Sequence, residues 1–197
     1  MQKKGAFNKL VRGKKTRVAI KCITSKDFEL MKGIAKTGVT SKFDSINVIG
    51  LSGKRLVKLE KDAYITSKTV LVNGKDVIKV YYLGDKGKAH VKLNSNIKNF
   101  YRSNERQVQH DLKLSSIYYN LDQAQRNTWE NENELINKYK LDNPNKKLKT
   151  MIDATFYSNG ITVAVEVTTR NYTKEQIQDK YNIADELGCK EMLKLEM

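Results

Sequence analysis

Apolar positions along this chain change period from one segment to the next, and each period predicts an element. After Thr24, a helix-capping residue type, SKDFELMKGIAKTG sets Phe28, Met31 and Ile34 at helical spacing and stops at Gly38. A second start at Thr40 or Ser41 puts Phe43, Ile46 and Ile49 on one face, and Gly50 breaks the chain. LSGKRLVKLEKDAYI then turns Leu51, Leu56, Leu59 and Ala63 inward and leaves Lys54, Arg55, Lys58 and Lys61 on other faces. Three short helices with a tight turn before the third match helix-turn-helix organisation. From Ile65 to Val72, and again from Asp76 to Leu83, the pattern is strand-like around Asn73-Gly74, which predicts a hairpin. Helices followed by a basic hairpin make a winged helix, expected over residues 20–93.

A polar stretch, residues 94–104, reads as a linker to a second domain over 105–197. There Val108, Leu112, Ile117 and Leu121 form one helical stripe with Gln107, His110 and Asp111 as polar neighbours. A lone His on such a helix is more often a structural partner than a ligand, so His110 ranks low as a site residue. The segment from Trp129 through ELINKYKL is ambiguous between periods, and NPNKKLKT reads as a loop.

MIDATFYSNGITVAVEVTT, residues 151–169, is a second hairpin, because an Asn-Gly pair suits a type I′ turn with φ > 0 at both central positions. Counting outward from Asn159 and Gly160 pairs Ser158 with Ile161, Phe156 with Val163 and Ala154 with Val165, and sets Asp153 opposite Glu166. The period of two puts Ile152, Ala154, Phe156, Ile161, Val163, Val165 and Val167 on one face and Asp153, Thr155, Tyr157, Thr162, Ala164, Glu166 and Thr168 on the other. Like charges roughly 5 Å apart at Cβ destabilise a hairpin unless neutralised. A divalent cation with oxygen ligands, Mg²⁺ or Mn²⁺, would neutralise them; on a solvated face the same pair would be ordinary surface. Thr173 with Gln176 then forms a capping box, Ile177, Tyr181, Ala184 and Leu187 a stripe, and Gly188 a stop before the closing strand EMLKLEM. Strand, helix, strand implies a right-handed crossover with the last two strands parallel.

Charge separates the two halves. Of the net +15, residues 1–100 carry 23 Lys and Arg against 7 Asp and Glu, while residues 101–197 carry 14 against 15. A basic half joined to a near-neutral one points to a polyanion-binding module, and double-stranded DNA is the expected partner. No cofactor is required for DNA binding on this reading. Residues 1–19 form a basic arm whose Arg12, Lys14 and Lys15 would contact phosphate or the minor groove. On the winged-helix reading Ser52, Lys54, Arg55 and Lys58 belong to the recognition helix, and Lys68 and Lys75 to the wing. The opposing reading is a winged helix that serves as a protein-docking scaffold. No apolar run reaches membrane-span length, the N-terminus lacks the apolar centre of a secretory signal, and no basic amphipathic helix has a broad aromatic face. The expectation is a cytoplasmic protein without a membrane partner. Cys22 and Cys189 lie far apart with no C-x-x-C spacing, so neither a disulfide framework nor a zinc site is indicated.

Helix, hairpin, helix and strand carrying Asp153 and the Glu166-x-Thr168 step resemble the PD-(D/E)xK nuclease fold. That resemblance implies that Asp153 and Glu166 bind Mg²⁺, and that a Lys two residues after the Glu helps to activate water. This chain has Thr168 in place of that Lys and Ile152 in place of the motif's Pro; Lys180 on the next helix would supply a migrated Lys if it turns toward the hairpin. Taken whole, the winged helix, the helix with His110-Asp111-Leu112, the Asp153 and Glu166 pair and Lys180-Tyr181 resemble the replication-relaxation family of plasmid and mobile-element proteins. The resemblance implies a fold of class α+β, a winged helix-turn-helix followed by a small PD-(D/E)xK-like domain. It also implies a role in replication, transfer or maintenance of a mobile element, with replication or transfer proteins of that element as partners. Because Thr168 removes a transition-state charge, the favoured expectation is a DNA-binding protein with a degenerate nuclease-like domain. A metal-dependent endonuclease, with catalytic Asp153, Glu166 and Lys180 and metal-binding Asp153 and Glu166, is one alternative; a transcriptional regulator is another. Half-site readers are often dimers, which leaves a homodimer open, although no dimer helix stands out.

Overall fold

Reciprocal caps set the helix starts. The computed structural model describes residues 19–97 and 99–197. Thr24 Oγ1 accepts from the Asp27 amide while the Asp27 carboxylate accepts from the Thr24 amide, which starts α1 (Ser25–Thr37); Gly38 at φ 82° ends it. β1 (Thr40–Ser41) leads into α2 (Lys42–Asn47) and then α3 (Gly53–Lys61), capped by Ser41 and Ser52. β2 (Ile65–Val72) and β3 (Asp76–Leu83) pair antiparallel along their whole length, β1 adds to the other edge of β3, and α4 (Asp85–Asn94) follows.

Leu30, Ile34, Leu51, Leu56, Leu59, Ile65 and Tyr81 form the core of this first unit. Two residues expected inside are not. Ala63, at φ 63°, closes the turn after α3 and is exposed, because a left-handed residue cannot continue a helical stripe. Phe43 is also exposed: six-residue α2 turns Asp44 and Ser45 inward, and their bonds to Ser41 hold it in that rotation.

A 3₁₀ turn, Glu105–Gln107, opens the second unit. Then come α5 (Val108–Asn120), α6 (Gln123–Asn127), β4 (Glu130–Asn131), α7 (Glu132–Asp142), β5 (Ala154–Ser158), β6 (Ile161–Thr168), α8 (Lys174–Glu186) and β7 (Glu191–Glu196). The sheet runs β4-β5-β6-β7, antiparallel except that β6 and β7 are parallel through the α8 crossover. Asn159 at φ 50° and Gly160 at φ 85° make the turn, and Ser158 faces Ile161 in the register counted from the sequence. The architecture is mixed α+β, with eight α-helices and two sheets among the described residues. No helix among them is long and apolar enough to cross a membrane.

Both faces of the second sheet are largely covered. Ala154, Phe156, Val163, Val165 and Val167 pack on Leu114 and Tyr118 of α5 and on Trp129, whereas Ala164 meets Leu135 and Tyr139 of α7 and Ile183 and Ala184 of α8. Helix α5 lies between this sheet and α1, so it buries two sides. Its buried set is Val108, Asp111, Leu114, Ser115, Tyr118 and Tyr119, and the expected stripe residues Leu112, Ile117 and Leu121 are only half-buried. On α8, Tyr181 is exposed and Ile183 packs inward instead.

The units share α1. The Tyr119 hydroxyl donates to the Leu30 carbonyl at 3.0 Å, and a Cβ on Gly33 would lie 2.1 Å from that hydroxyl oxygen. Lys36 Nζ reaches Glu134 and the Trp129 carbonyl, each at 2.8 Å. The end of the segment expected as a linker is pinned: the Tyr101 amide donates to the Ala35 carbonyl, and a Cβ on Gly38 would meet Tyr101 and Ser103 within 3 Å.

Candidate active site

Asp153 precedes the first β5 pair, one step beyond Ala154 and Val165, and therefore stands beside Glu166. Main-chain bonds interlock the two carboxylates. The Asp153 amide donates to Glu166 Oε2 at 3.3 Å, and the Val167 amide donates to Asp153 Oδ2 at 2.7 Å. The chain bends at Asp153, so Ile152 leaves the face expected for it and packs with Ala164, Leu135 and Ile183. Asp153 is 7% and Glu166 1% exposed, which removes the reading of the pair as ordinary solvated surface. Burial and the Asp153 charge, partly offset by Lys180, push the Glu166 carboxyl up to about 7.

Lys180 comes from the adjacent helix. Its Nζ lies 2.8 Å from Glu166 Oε1 and donates to the Met151 carbonyl at 2.5 Å. The ammonium thus reaches the carboxylate pair that Thr168 cannot serve; the Thr168 hydroxyl instead points to the Leu195 carbonyl of β7 at 3.4 Å. Despite the Lys180 contact, Glu166 Oε1 is a buried oxygen without a well-aligned hydrogen bond.

The sequence reading ranked His110 low, and the structure puts it at the centre. Its Nε2 lies 3.0 Å from Asp153 Oδ2 and its Nδ1 3.2 Å from Asp111 Oδ1, so both nitrogens face carboxylates. Burial alone would lower its pKa, but the bonds to Asp111 and Asp153 outweigh that and raise it to about 10, which makes the ring an imidazolium at neutral pH. Asp111 is fully buried and accepts from the Tyr101 hydroxyl at 3.1 Å and from Ser103 Oγ. Gly38 and α1 therefore hold the strap that holds Asp111. Tyr172 faces the same group; its burial and the Glu166 and Asp153 charges push its phenol up to about 12. Glu132 at the start of α7 is raised by burial and by Asp153. The one available sequence signal for this network was the His110-Asp111 pair, with Asp111 on a side of α5 that carries apolar residues.

Of these side chains Tyr101, His110, Glu132, Asp153, Tyr172 and Lys180 line a cavity of 590 Å³, with Leu71 of the β2–β3 hairpin and Arg106 also on its wall, while Glu166 and Asp111 are buried behind it. Two adjacent carboxylates, Asp153 and Glu166, are an oxygen donor set that suits a hard divalent cation. Among the described residues no cluster of three or more His, Cys, Asp and Glu is arranged to hold a metal. Asp153 and Glu166 would be its protein ligands, and Mg²⁺ commonly completes such a shell with water and phosphate oxygens.

The candidate DNA contacts divide. Lys54 and Lys58 project from α3 and are exposed, and Ser52 is the α3 cap. Arg55 is held internally: Nε and Nη2 donate to the two Asp27 oxygens at 2.9 and 2.5 Å, and Nη2 also donates to the Cys22 carbonyl at 2.7 Å. This fork geometry removes Arg55 as a free reader of bases. Lys68 lies on β2 with its Nζ 6.0 Å from the Tyr82 ring centre, and Lys75 follows the hairpin turn in the open. Arg12, Lys14, Lys15 and the rest of the basic arm up to residue 18 lie outside the described residues. No protein-family model and no curated protein sequence matches the chain.

Proposed function

We propose that the chain is a DNA-binding protein whose second unit is a metal-dependent phosphodiester-cleaving site of PD-(D/E)xK type, delivered to duplex DNA by a winged helix. The observation that carries this reading is the position of Lys180: its ammonium sits 2.8 Å from Glu166, beside Asp153, in place of the amine that Thr168 lacks. The main reason for expecting a degenerate domain was that missing charge, so the endonuclease reading now takes precedence.

Asp153 and Glu166 would hold a Mg²⁺ or Mn²⁺ ion, which when bound would supply Lewis-acid polarisation of the phosphate and a more acidic bound water. The residues of the chain do the rest. Lys180 is a cationic donor beside the cavity, placed for charge that builds on phosphate oxygens, while the His110 ring, held between Asp111 and Asp153, positions the Asp153 carboxylate, and Asp111 is itself fixed by Tyr101 and Ser103. Lys54 and Lys58 of α3 and Lys75 at the wing tip contact the duplex on this reading. On the family resemblance the setting is replication, transfer or maintenance of a plasmid or mobile element in the cytoplasm.

A second reading keeps a non-cleaving scaffold. The His110–Asp153 bond favours it, because a cationic His already neutralises one carboxylate without a metal. Supercoiled plasmid incubated with Mg²⁺ or Mn²⁺ separates the two: the cleavage reading requires nicking that Asp153→Asn abolishes, and intact plasmid with wild type would leave the scaffold.

A further inference from the structure

A larger cavity, 900 Å³, lies between the units, walled by the end of α1, by α4, α7 and the 99–103 strap. Its lining carries three cations, Lys88, Lys92 and Arg102, three asparagines and no carboxylate. Lys92 Nζ stands 5.8 Å from the Phe100 ring centre, and Lys88 has only a loose, exposed partner in Asp85 at 3.5 Å. Tyr101 lines this cavity and also the 590 Å³ one that contains Asp153 and Lys180, so its side chain is a wall the two share.

We infer that this inter-unit cavity binds single-stranded DNA and leads one strand past Tyr101 toward Asp153 and Glu166. Cations that track a backbone, interleaved with aromatic rings that can stack on bases, are the chemistry of single-strand grooves. Amides beside them can bond base edges of an unpaired strand. A recess of 900 Å³ walled by three helices and a strap is too small to enclose a duplex but has room for a few unpaired nucleotides. The exposed Lys54 and Lys58 of α3 and Lys75 at the hairpin turn, in contrast, lie on projecting elements that suit duplex grooves. The choice of DNA rests on the function proposed above, whereas strand binding in the cavity needs neither metal nor cleavage.

The test uses the full chain in EDTA, so that cleavage plays no part, with a fluorescent 12-nucleotide oligo-dT and a labelled duplex read by anisotropy. Arg102→Glu with Lys92→Glu, both at exposed positions, should weaken oligo-dT binding by about tenfold or more while duplex affinity stays within about twofold. Lys54→Glu with Lys58→Glu should do the reverse. Circular dichroism confirms that each variant folds, and Arg102→Ala alone, a milder change, should lower oligo-dT affinity in the same direction. Unchanged oligo-dT affinity in the Arg102/Lys92 variant overturns the inference. So does an equal fall for oligo-dT and duplex, which would mark a general electrostatic effect.

Discussion

Arg55→Ala separates a structural arginine from a base reader. Asp27 is fully buried and the Arg55 side chain is 23% exposed, so their two-point contact sits mostly out of water. Burial alone would raise the Asp27 pKa, yet Arg55 and the Thr24 cap together hold it below the usual carboxylate value. Truncating Arg55 leaves a buried carboxylate whose remaining donors are the Thr24 amide and hydroxyl. Removing one partner of a buried pair costs about 3 kcal/mol or more, and the surviving cap bonds keep this case at the low end. For a domain of this size that corresponds to a Tm lower by about 6–12 °C. Lys54→Ala, on the exposed side of the same helix, should stay within about 0.5 kcal/mol of wild type. Thermal unfolding by circular dichroism and duplex affinity by anisotropy are measured for both variants. Arg55→Ala should lose stability with little change in sequence preference at low temperature, and Lys54→Ala the opposite. A Tm within about 2 °C of wild type, combined with relaxed sequence preference for Arg55→Ala, would refute the assignment.

Gly33→Ala forces a Cβ against the Tyr119 hydroxyl and should cost about 1–3 kcal/mol in thermal unfolding, with a larger loss meaning that the α1–α5 contact cannot shift at all. Because the folded state raises the Glu166 pKa from 4.5 to about 7, it holds that proton more tightly than the unfolded chain, so this group's stabilisation is present below about pH 4.5 and is lost as pH rises to about 7. Glu166→Gln should flatten that part of the metal-free stability profile; an unchanged slope would reject the raised pKa. Lys75→Ala should weaken duplex binding evenly across sequences and reduce the salt slope by about 1, as measured by anisotropy over a salt series.

Turns and caps were legible because they depend on neighbours in sequence. Thr24 with Gly38, Asn159-Gly160 and Thr173 with Gln176 each fix an element through bonds within a few residues, and each stands where the pattern put it. Features set by distant partners were not legible. Helix α4 fully buries only Gly87 and Val91, too sparse a stripe to announce a helix, and β1 and β4 are two residues each, formed by pairing with β3 and β5. Ile152 changes face because Asp153 bends to interlock with Glu166, a contact that a strict period of two does not encode. The acidic pair was visible through hairpin register, but His110 lies 43 positions from Asp153 and meets it only once α5 is packed on the β5–β6 sheet. Lys180 could be named as a candidate without a direction; the buried carboxylates and the Met151 carbonyl supply that direction.

The claim that Lys180 supplies the amine missing at Thr168 is tested most directly by nicking of supercoiled plasmid with Mn²⁺, comparing wild type, Lys180→Met, and Lys180→Met combined with Thr168→Lys. Loss of one charged transition-state donor predicts a fall of about 10²–10³-fold for Lys180→Met. The double variant, with its lysine on the same strand face as Glu166, should recover part of that rate. Nicking by Lys180→Met at the wild-type rate would contradict the account.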